Sequence, residues 1–450
     1  MMDQLTNRRR RNILRLFLLG ILPVFALSVV INGKSVVRGE TLHEAWYAVS
    51  TQSYRLQAEQ YQIQAADSTV RMAQAARSPI VTNSTSYVAL NESPKTLVNL
   101  PIPGLGTMES PLVDKTFVTS TTAAIVPIYA GGKITSAIGA AQAQSSAVRA
   151  GHAVTVQDLK METTEAYFLV LRVRQLHEVA VQAENSLISH ERDAQNLLDN
   201  KLVTLNVLLA AQTARAAALQ QVIHTQNGVA LAEAAYNRLL NRPLDAPVFL
   251  EEIEIPEMIS EQRTALALAQ QATAHRMELA KLNAQSRALC EQSFMARGDR
   301  LPMVAAAGGF NYMENHHMTP NANFGGGVSF MWTPFDGGAS RAKQRAAQQE
   351  AMAVNRIRDE TRTLIELQVK SAELSEQESR ERLAVAEKAL VQAAENKRIV
   401  TRQFQEGLTN HTEVLDAQVL DTQAKSNYCN AVYDAILATF KLRRALGDLN

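Results

Sequence analysis

Cysteine is nearly missing from this chain: 450 residues contain two, Cys290 and Cys429. A disulfide-stapled scaffold is therefore excluded. Neither thiol stands just after a leader segment, where a lipid anchor would be attached. Both lie in helical, alanine-rich contexts that suit a small buried thiol. Aromatic residues make up only 5% and the formal net charge is +1, so nothing points to a nucleic-acid partner. Nucleotide fingerprints, P-loops and zincin motifs are also missing; HEAWY at His43 has only the first two letters of the last. Gly104–Gly106 (GLG) and Gly325–Gly327 (GGG) fall in loop and strand contexts, where they serve conformation rather than phosphate binding. The chain is thus read as no enzyme, with no cofactor and no resident metal. Met313, His316, His317 and Met318 are soft donors in one loop, for which an ordinary polar loop is the simpler account.

Long apolar runs are missing too, except at the start. Asn7–Asn12 (NRRRRN) precedes the apolar segment Ile13–Val30, the basic-then-apolar order of a secretory leader over residues 1–30. An uncleaved anchor is the alternative, but Pro23 and the short run fit a leader better. No later run is long enough to cross a membrane as a helix.

Proline is absent from two windows: none lies between Pro127 and Pro243, and none follows Pro334. Each window opens on a double glycine, Gly131-Gly132 or Gly337-Gly338, and continues in Ala-, Gln-, Glu-, Arg- and Leu-rich sequence of high helix propensity. Each is interrupted once, at DNKLVTLN (Asp199–Asn206) or EGLTNHT (Glu406–Thr412). The windows are one unit written twice. A shift of 206 residues superposes the glycine pairs, sets Leu209, Ala211 and Gln212 on Leu415, Ala417 and Gln418, and sets Arg238 and Leu240 on Arg444 and Leu446. A period this long marks a duplicated structural half, not a solenoid module. The expected organisation is a first repeat over 40–244, a linker over 245–262 and a second repeat over 263–450.

In each half an outbound helix of about 70 residues would run roughly 100 Å, and a return helix of about 33 would reach roughly half as far. Helices over Leu42–Arg77 and Ala265–Arg297 have the length to complete the cylinder. Val385, Ala389, Ala393, Val400 and Phe404 share one stripe, and their counterparts Val179, Ala183, Leu187, Ala194 and Leu198 are all apolar, as coiled-coil packing requires.

Between the helices, 78–129 and 300–335 each hold two candidate strands around a loop. In NFGGGVSFMWTPF, Phe324, Val328, Phe330 and Trp332 alternate with Asn323, Ser329 and Thr333; VTNSTSYVAL and TFVTSTTAAIV are Ser/Thr-rich and weaker. About ten residues is the length of a tilted membrane-spanning strand. The competing reading is a soluble β-cap on a coiled coil. If lipid is the solvent, four strands cannot close a barrel, so the chain must oligomerise.

The order of these signals resembles the TolC-like outer membrane efflux proteins over nearly the whole mature length. The residues that carry the resemblance are ETLHEAW (Glu40–Trp46), ARSPIV (Ala76–Val81), the strand-to-helix turns PIYAGG and PFDGG, and the tips NKLVTLNVLLAAQ and EGLTNHTEVLDAQ. It implies a mainly α fold with a small β part: long antiparallel helical hairpins forming an α-helical barrel in the periplasm, and four transmembrane strands per chain in a trimeric β-barrel in outer membrane lipid. It implies a passive exit duct for an efflux or type I secretion system, serving a periplasmic adaptor and an inner membrane pump. By resemblance, Gly407 and Leu408 match the adaptor-docking tip, with Leu202 and Val203 in the first half, where Lys201 replaces the glycine. Glu413 and Asp416 match acidic positions of a pore gate, and Phe404 a nearby aromatic. Residues three apart share a helix face, so a trimer would gather six carboxylates at its axis and attract cations; an ordinary solvated helix face is the bland alternative. For the whole chain, that alternative is an exported coiled-coil structural or interaction protein without a pore.

Overall fold

The computed structural model describes residues 39–99, 107–252, 255–256, 259 and 264–449. The expected leader and part of the expected linker lie outside them. In chain order the elements are α1 (Leu42–Gln52), α2 (Tyr54–Ala75), β1 (Ile80–Ala89), β2 (Lys95–Asn99), β3 (Thr107–Pro111), β4 (Thr116–Tyr129), α3 (Lys133–Asp199), α4 (Leu205–Leu239), α5 (Ala265–His275), α6 (Met277–Gly298), β5 (Met303–Met313), β6 (Ala322–Met331), α7 (Ala339–Gln405) and α8 (His411–Leu446). The two proline-free windows are helical, and α3 and α7 have 67 residues each. No helix among the described residues is long and apolar enough to cross a membrane.

Two stretches expected as single helices are each broken once. Ser53 (ψ 123°) separates α1 from α2, and Arg276 (ψ 116°) separates α5 from α6. Each break lies where a return helix ends. The Asn241 side chain donates to the Gln52 carbonyl freed at the first break. At the second, Arg276 donates to the Ala445 carbonyl at 3.2 Å and pairs with Glu278 at 2.8 Å. Without a Pro or Gly at either position, local sequence carries no signal for these bends.

The helices pack side by side. One side of α3 is covered by α2 and α4, the other by α6 and α8, whereas α7 is covered by α6, α5 and α8. The stripe expected to be used twice therefore has two fates. Val179, Leu187 and Ala194 are buried on α3, while Val385 and Ala389 of α7 are exposed.

The main core lies where α1, α3, α4 and α8 meet, around Trp46, Tyr167, Phe168, Tyr236 and Phe440. The ETLHEAW segment builds one wall of it. Glu40 receives a two-pronged pair from Arg242 (2.8 and 2.7 Å), Thr41 and Glu44 form a reciprocal helix cap, and Trp46 donates to Thr164 Oγ1 at 3.0 Å. Tyr167 donates to the carbonyls of Glu40 (2.8 Å) and Glu251 (2.6 Å), tying the start of the first half to the chain that follows α4.

The sheet is four-stranded and antiparallel, in the order β1-β4-β5-β6, so β1 and β6 are its edges. β4 passes through Pro127 beside a register shift, beyond the last β1 pairing at Ile125, where the missing N–H interrupts no β1 bond. The segment 94–115, expected as a loop, carries a second ribbon: β2 pairs with β3, with Lys95 2.8 Å from Glu109. Its short strands alternate too weakly to stand out in sequence.

Register defines the faces. Phe324 pairs with Phe310 (rings 5.0 Å apart), Val328 with Ala306 and Phe330 with Val304, so the apolar row of β6 continues on β5. The same face on β1 and β4 carries Asn83, Thr85, Ser120 and Thr122, bonded to one another (Asn83 to Thr122, 2.8 Å; Thr85 with Ser120, 3.0 Å).

Gly309 of β5 lies close against β4: a Cβ there would lie 2.5 Å from the Thr122 carbonyl oxygen. Gly309→Val should destabilise the sheet by about 1–3 kcal/mol, read as a lower melting temperature of the strand signal in circular dichroism. Gly326→Ala, whose nearest neighbour would lie at 3.6 Å, should leave that melting temperature unchanged.

Candidate gate, tips and turns

A helix ends with unsatisfied carbonyls, and one residue in the left-handed region lets the following amides turn back to them. Both tips use this device. In the second, Gly407 (φ 75°) donates to the Phe404 carbonyl at 3.0 Å and Leu408 to that of Gln403 at 2.8 Å. In the first, Lys201 holds φ 61°, donating to Leu198 at 2.8 Å, while Leu202 donates to Leu197 at 2.9 Å. The lysine thus occupies a glycine's backbone seat. Leu202 (71% exposed) and Leu408 (72% exposed) stand out from equivalent turns, and Val203 is partly buried. The exchange of Gly for Lys alters the charge of the tip, not its backbone path.

Glu413 and Asp416 stand on the first turns of α8, which Asn410 caps by accepting the Glu413 N–H at 3.0 Å. Both carboxylates are exposed, while Val414 and Ala417 are buried, so the acids share the outward side. Neither is ion-paired to a described residue. In the first half the positions 206 earlier are Val207 and Ala210, which carry no charge.

Phe404, expected as an aromatic near the gate, stands in the last turn of α7. It is buried, its ring 5.1 Å from that of His190, and does not share the exposed side of Glu413 and Asp416. A stripe position on α7 puts it against α3, so it packs the two tips together. Nearby, Ser186 donates to Gln418 at 2.7 Å and Gln405 to Asp193 at 3.2 Å. Asp421 is buried with Lys397 at 3.0 Å and Lys425 at 3.1 Å, which keep the carboxylate compensated. Above the tips, α3, α4 and α8 enclose an open groove of about 590 Å³, lined by Ala180, Ala183, Ala214, Ala218, Val419 and Thr422.

Gly131, Gly132, Gly337 and Gly338 all have positive φ and turn the strands into α3 and α7. At Gly131 space matters as well, since a Cβ would come 2.7 Å from the Leu301 Cβ. Asp336 caps the second turn by accepting the N–H of Ser340 at 2.8 Å. Asp299, which sequence reading passed over, joins both turns: Lys133 at 2.5 Å and Lys343 at 3.6 Å hold its carboxyl below the usual range. Its only sequence signal is its place just before a strand.

At the far end of the sheet the loops of the two halves meet. Asp114 accepts from the His316 backbone N–H at 2.9 Å and faces His316 Nδ1 at 2.9 Å and His317 Nε2 at 3.3 Å. The His316 contacts lower the Asp114 carboxyl and raise the His316 imidazole. Among the described residues no group of three His, Cys, Asp or Glu is arranged to hold a metal ion.

Residues 268–448 match the family model described as outer membrane efflux protein. No curated protein matches the chain by sequence. In fold, the chain is similar to VceC of Vibrio cholerae, an outer membrane protein (TM-score 0.76, 18% identity, 90% of this chain and 96% of that one). It is also similar to the outer-membrane channel OprN (0.75, 18%, 90% and 89%) and to the outer membrane channel CmeC of Campylobacter jejuni (0.75, 14%, 90% and 85%). Identities this low speak for a shared fold, mostly helical with a small sheet.

A left-handed non-glycine residue costs about 1–2 kcal/mol, partly offset by the entropy a glycine would lose. Lys201→Gly should therefore stabilise the first tip by roughly 0.5–1 kcal/mol, measured as slower hydrogen exchange of the Leu202 amide.

Proposed function

We propose that this chain, whose residues 268–448 match the outer membrane efflux protein family model, is a member of that family and the exit duct of a tripartite efflux or type I secretion system. In this reading it forms a trimer, and its tandem halves supply similar strands and hairpins around one pore. The observation that carries the proposal is the open sheet: four strands with unpaired edges at β1 and β6. In lipid, each unsatisfied backbone group costs several kcal/mol, so such a sheet is stable only when its edges are closed. Three copies, pairing the β6 of one with the β1 of the next, close twelve strands.

The halves keep a common plan. α3 and α7 have equal lengths, and α1, α2 and β1 begin 223 residues before α5, α6 and β5, against 206 across the double glycines. The difference lies in the first hairpin, where the β2–β3 ribbon is. The helices supply the matching seam. Leu364, Leu367, Leu374, Val385 and Val391 are exposed on α7, while α2 exposes Tyr54 and Tyr61 and α4 exposes Leu219 and Leu231. In the trimer the uncovered side of α7 would lie against α2 and α4 of the neighbouring copy, burying both sets.

Outer membrane lipid would contact the face of Phe310, Phe324 and Phe330, and the helical barrel would extend into the periplasm. There Leu202 and Leu408, with Val203 and Gly407, would meet a periplasmic adaptor, and the groove between α4 and α8 offers an apolar floor for an adaptor helix. An inner membrane pump would supply the energy and choose the cargo. Glu413 and Asp416 would form the gate, six carboxylates around the axis.

Detergent extraction of isolated outer membranes should yield a particle with the mass of three chains. A water-soluble monomer or dimer would abandon the duct in favour of an exported coiled coil without a pore. The second expectation concerns the gate: the double substitution Glu413→Ala with Asp416→Ala should weaken cation selectivity and block by multivalent cations in planar bilayers. Unchanged selectivity would remove these residues from the gate while leaving the duct in place.

A further inference from the structure

The two tips touch through a small aromatic cluster that the gate itself does not use. His190 of α3 is 7% exposed; its ring lies 5.1 Å from Phe404 of α7 and 6.3 Å from His411, the first residue of α8, at an interplanar angle of 15°. His190 Nε2 and His411 Nδ1 are both buried without a hydrogen-bond partner. Two neutral imidazoles can occupy this position at modest cost, with the rings in contact. A charged His190 imidazole is disfavoured there, because burial desolvates it beside a second imidazole.

The surroundings offer little relief. From α3 the charged neighbour is Asp193, whose carboxylate already accepts from Gln405 at 3.2 Å. From α7 the neighbours are Phe404 and Gln405, both neutral. From α8 it is His411 itself, with Glu413 and Asp416 on the exposed side of the helix. Burial, and then the nearby His411, hold the His190 imidazole below its ordinary value of 6.5, against the opposing pull of Asp193. The sign follows: the folded contact binds fewer protons than the separated one. Its contribution is intact above about pH 6.5 and is lost as pH falls through the lowered folded value.

We propose that His190, packed against Phe404 and His411, forms a proton-operated latch between the tips, holding the α7–α8 hairpin against the α3–α4 hairpin when His190 is neutral and releasing it when His190 is protonated. This rests on the gate reading above only for its consequence: releasing the first turn of α8 moves Glu413 and Asp416. The stimulus is the proton alone. An exit duct fitted with it would loosen at its inner end when the surrounding compartment turns acidic.

The test is hydrogen exchange of the full-length protein in detergent, at about pH 7.5 and about pH 5.5. After correction for the intrinsic pH dependence of exchange, protection at 190–199 and 403–416 should fall by up to about tenfold per pH unit as pH drops below about 6.5 toward the lowered folded value. His190→Phe, which keeps an aromatic ring beside Phe404, should retain protection at both pH values. His411→Gln, a second variant that does not rely on filling the buried site, should lose less protection than the wild type. Equal wild-type protection at the two pH values, or the same acid loss in both variants, would overturn the latch. Bilayer conductance separates the two proposals. An acid-induced loss of protection that His190→Phe abolishes, without any change in conductance, would uphold the latch and refute the gate assignment.

Discussion

Covering the length of two very long helices is the constraint on which the rest of this structure depends. A 67-residue helix of roughly 100 Å cannot be sheltered by one partner of 35 or 36 residues. Each long helix is therefore flanked by short helices set end to end: a return helix below, and a helix leading into a strand above. The solution is complete for α3, which has such a pair on both sides. For α7 it is complete on one side only. The same apolar stripe is thus core on α3 and surface on α7, and the leucines left on α7 set what a second copy would have to cover.

End-to-end stacking places demands on the helix ends. Four of them are closed by a left-handed residue, Lys201 and Gly407 at the tips and Asn241 and Gly447 at the ends of the return helices. Asn241 and Gly447 stop the return helices beside the breaks at Ser53 and Arg276, where a Cβ on Gly447 would lie 3.3 Å from the His275 backbone. The bends, the caps and the ends of α4 and α8 therefore form one joint in each half. Where a long helix turns from a strand, Asp299 plays a comparable part, joining both turns with one carboxylate.

Much of this was legible in the sequence. The absence of proline exposed the helical windows, the double glycines their starts, and the tip motifs their turns, because each is a local requirement on φ or on a missing donor. The breaks at Ser53 and Arg276 were not legible, since they arise from helix ends some 170 to 190 residues distant. Periodicity revealed the apolar stripe but not its neighbour, so the exposure of Val385 had to come from packing. The β2–β3 ribbon was hidden by its short strands and weak alternation. At the tip, the pairing of His190 with His411 joins residues 221 apart, and neither carries a sequence signal.

The sheet sets the final step. Its aromatic row is continuous across β5 and β6 but gives way on β1 and β4 to Asn83, Thr85, Ser120 and Thr122. If that face met lipid with those groups unpaired, each would incur a desolvation penalty. They are instead bonded across the β1–β4 register, so the face is polar in composition yet largely satisfied. Weak alternation in the Ser/Thr-rich strands is thus compatible with an apolar solvent, because satisfaction of hydrogen bonds, more than residue type, determines what a sheet can expose. The remaining backbone groups at the β1 and β6 edges have no such internal remedy. If the sheet lies in lipid, the demand for closure by further copies is located there.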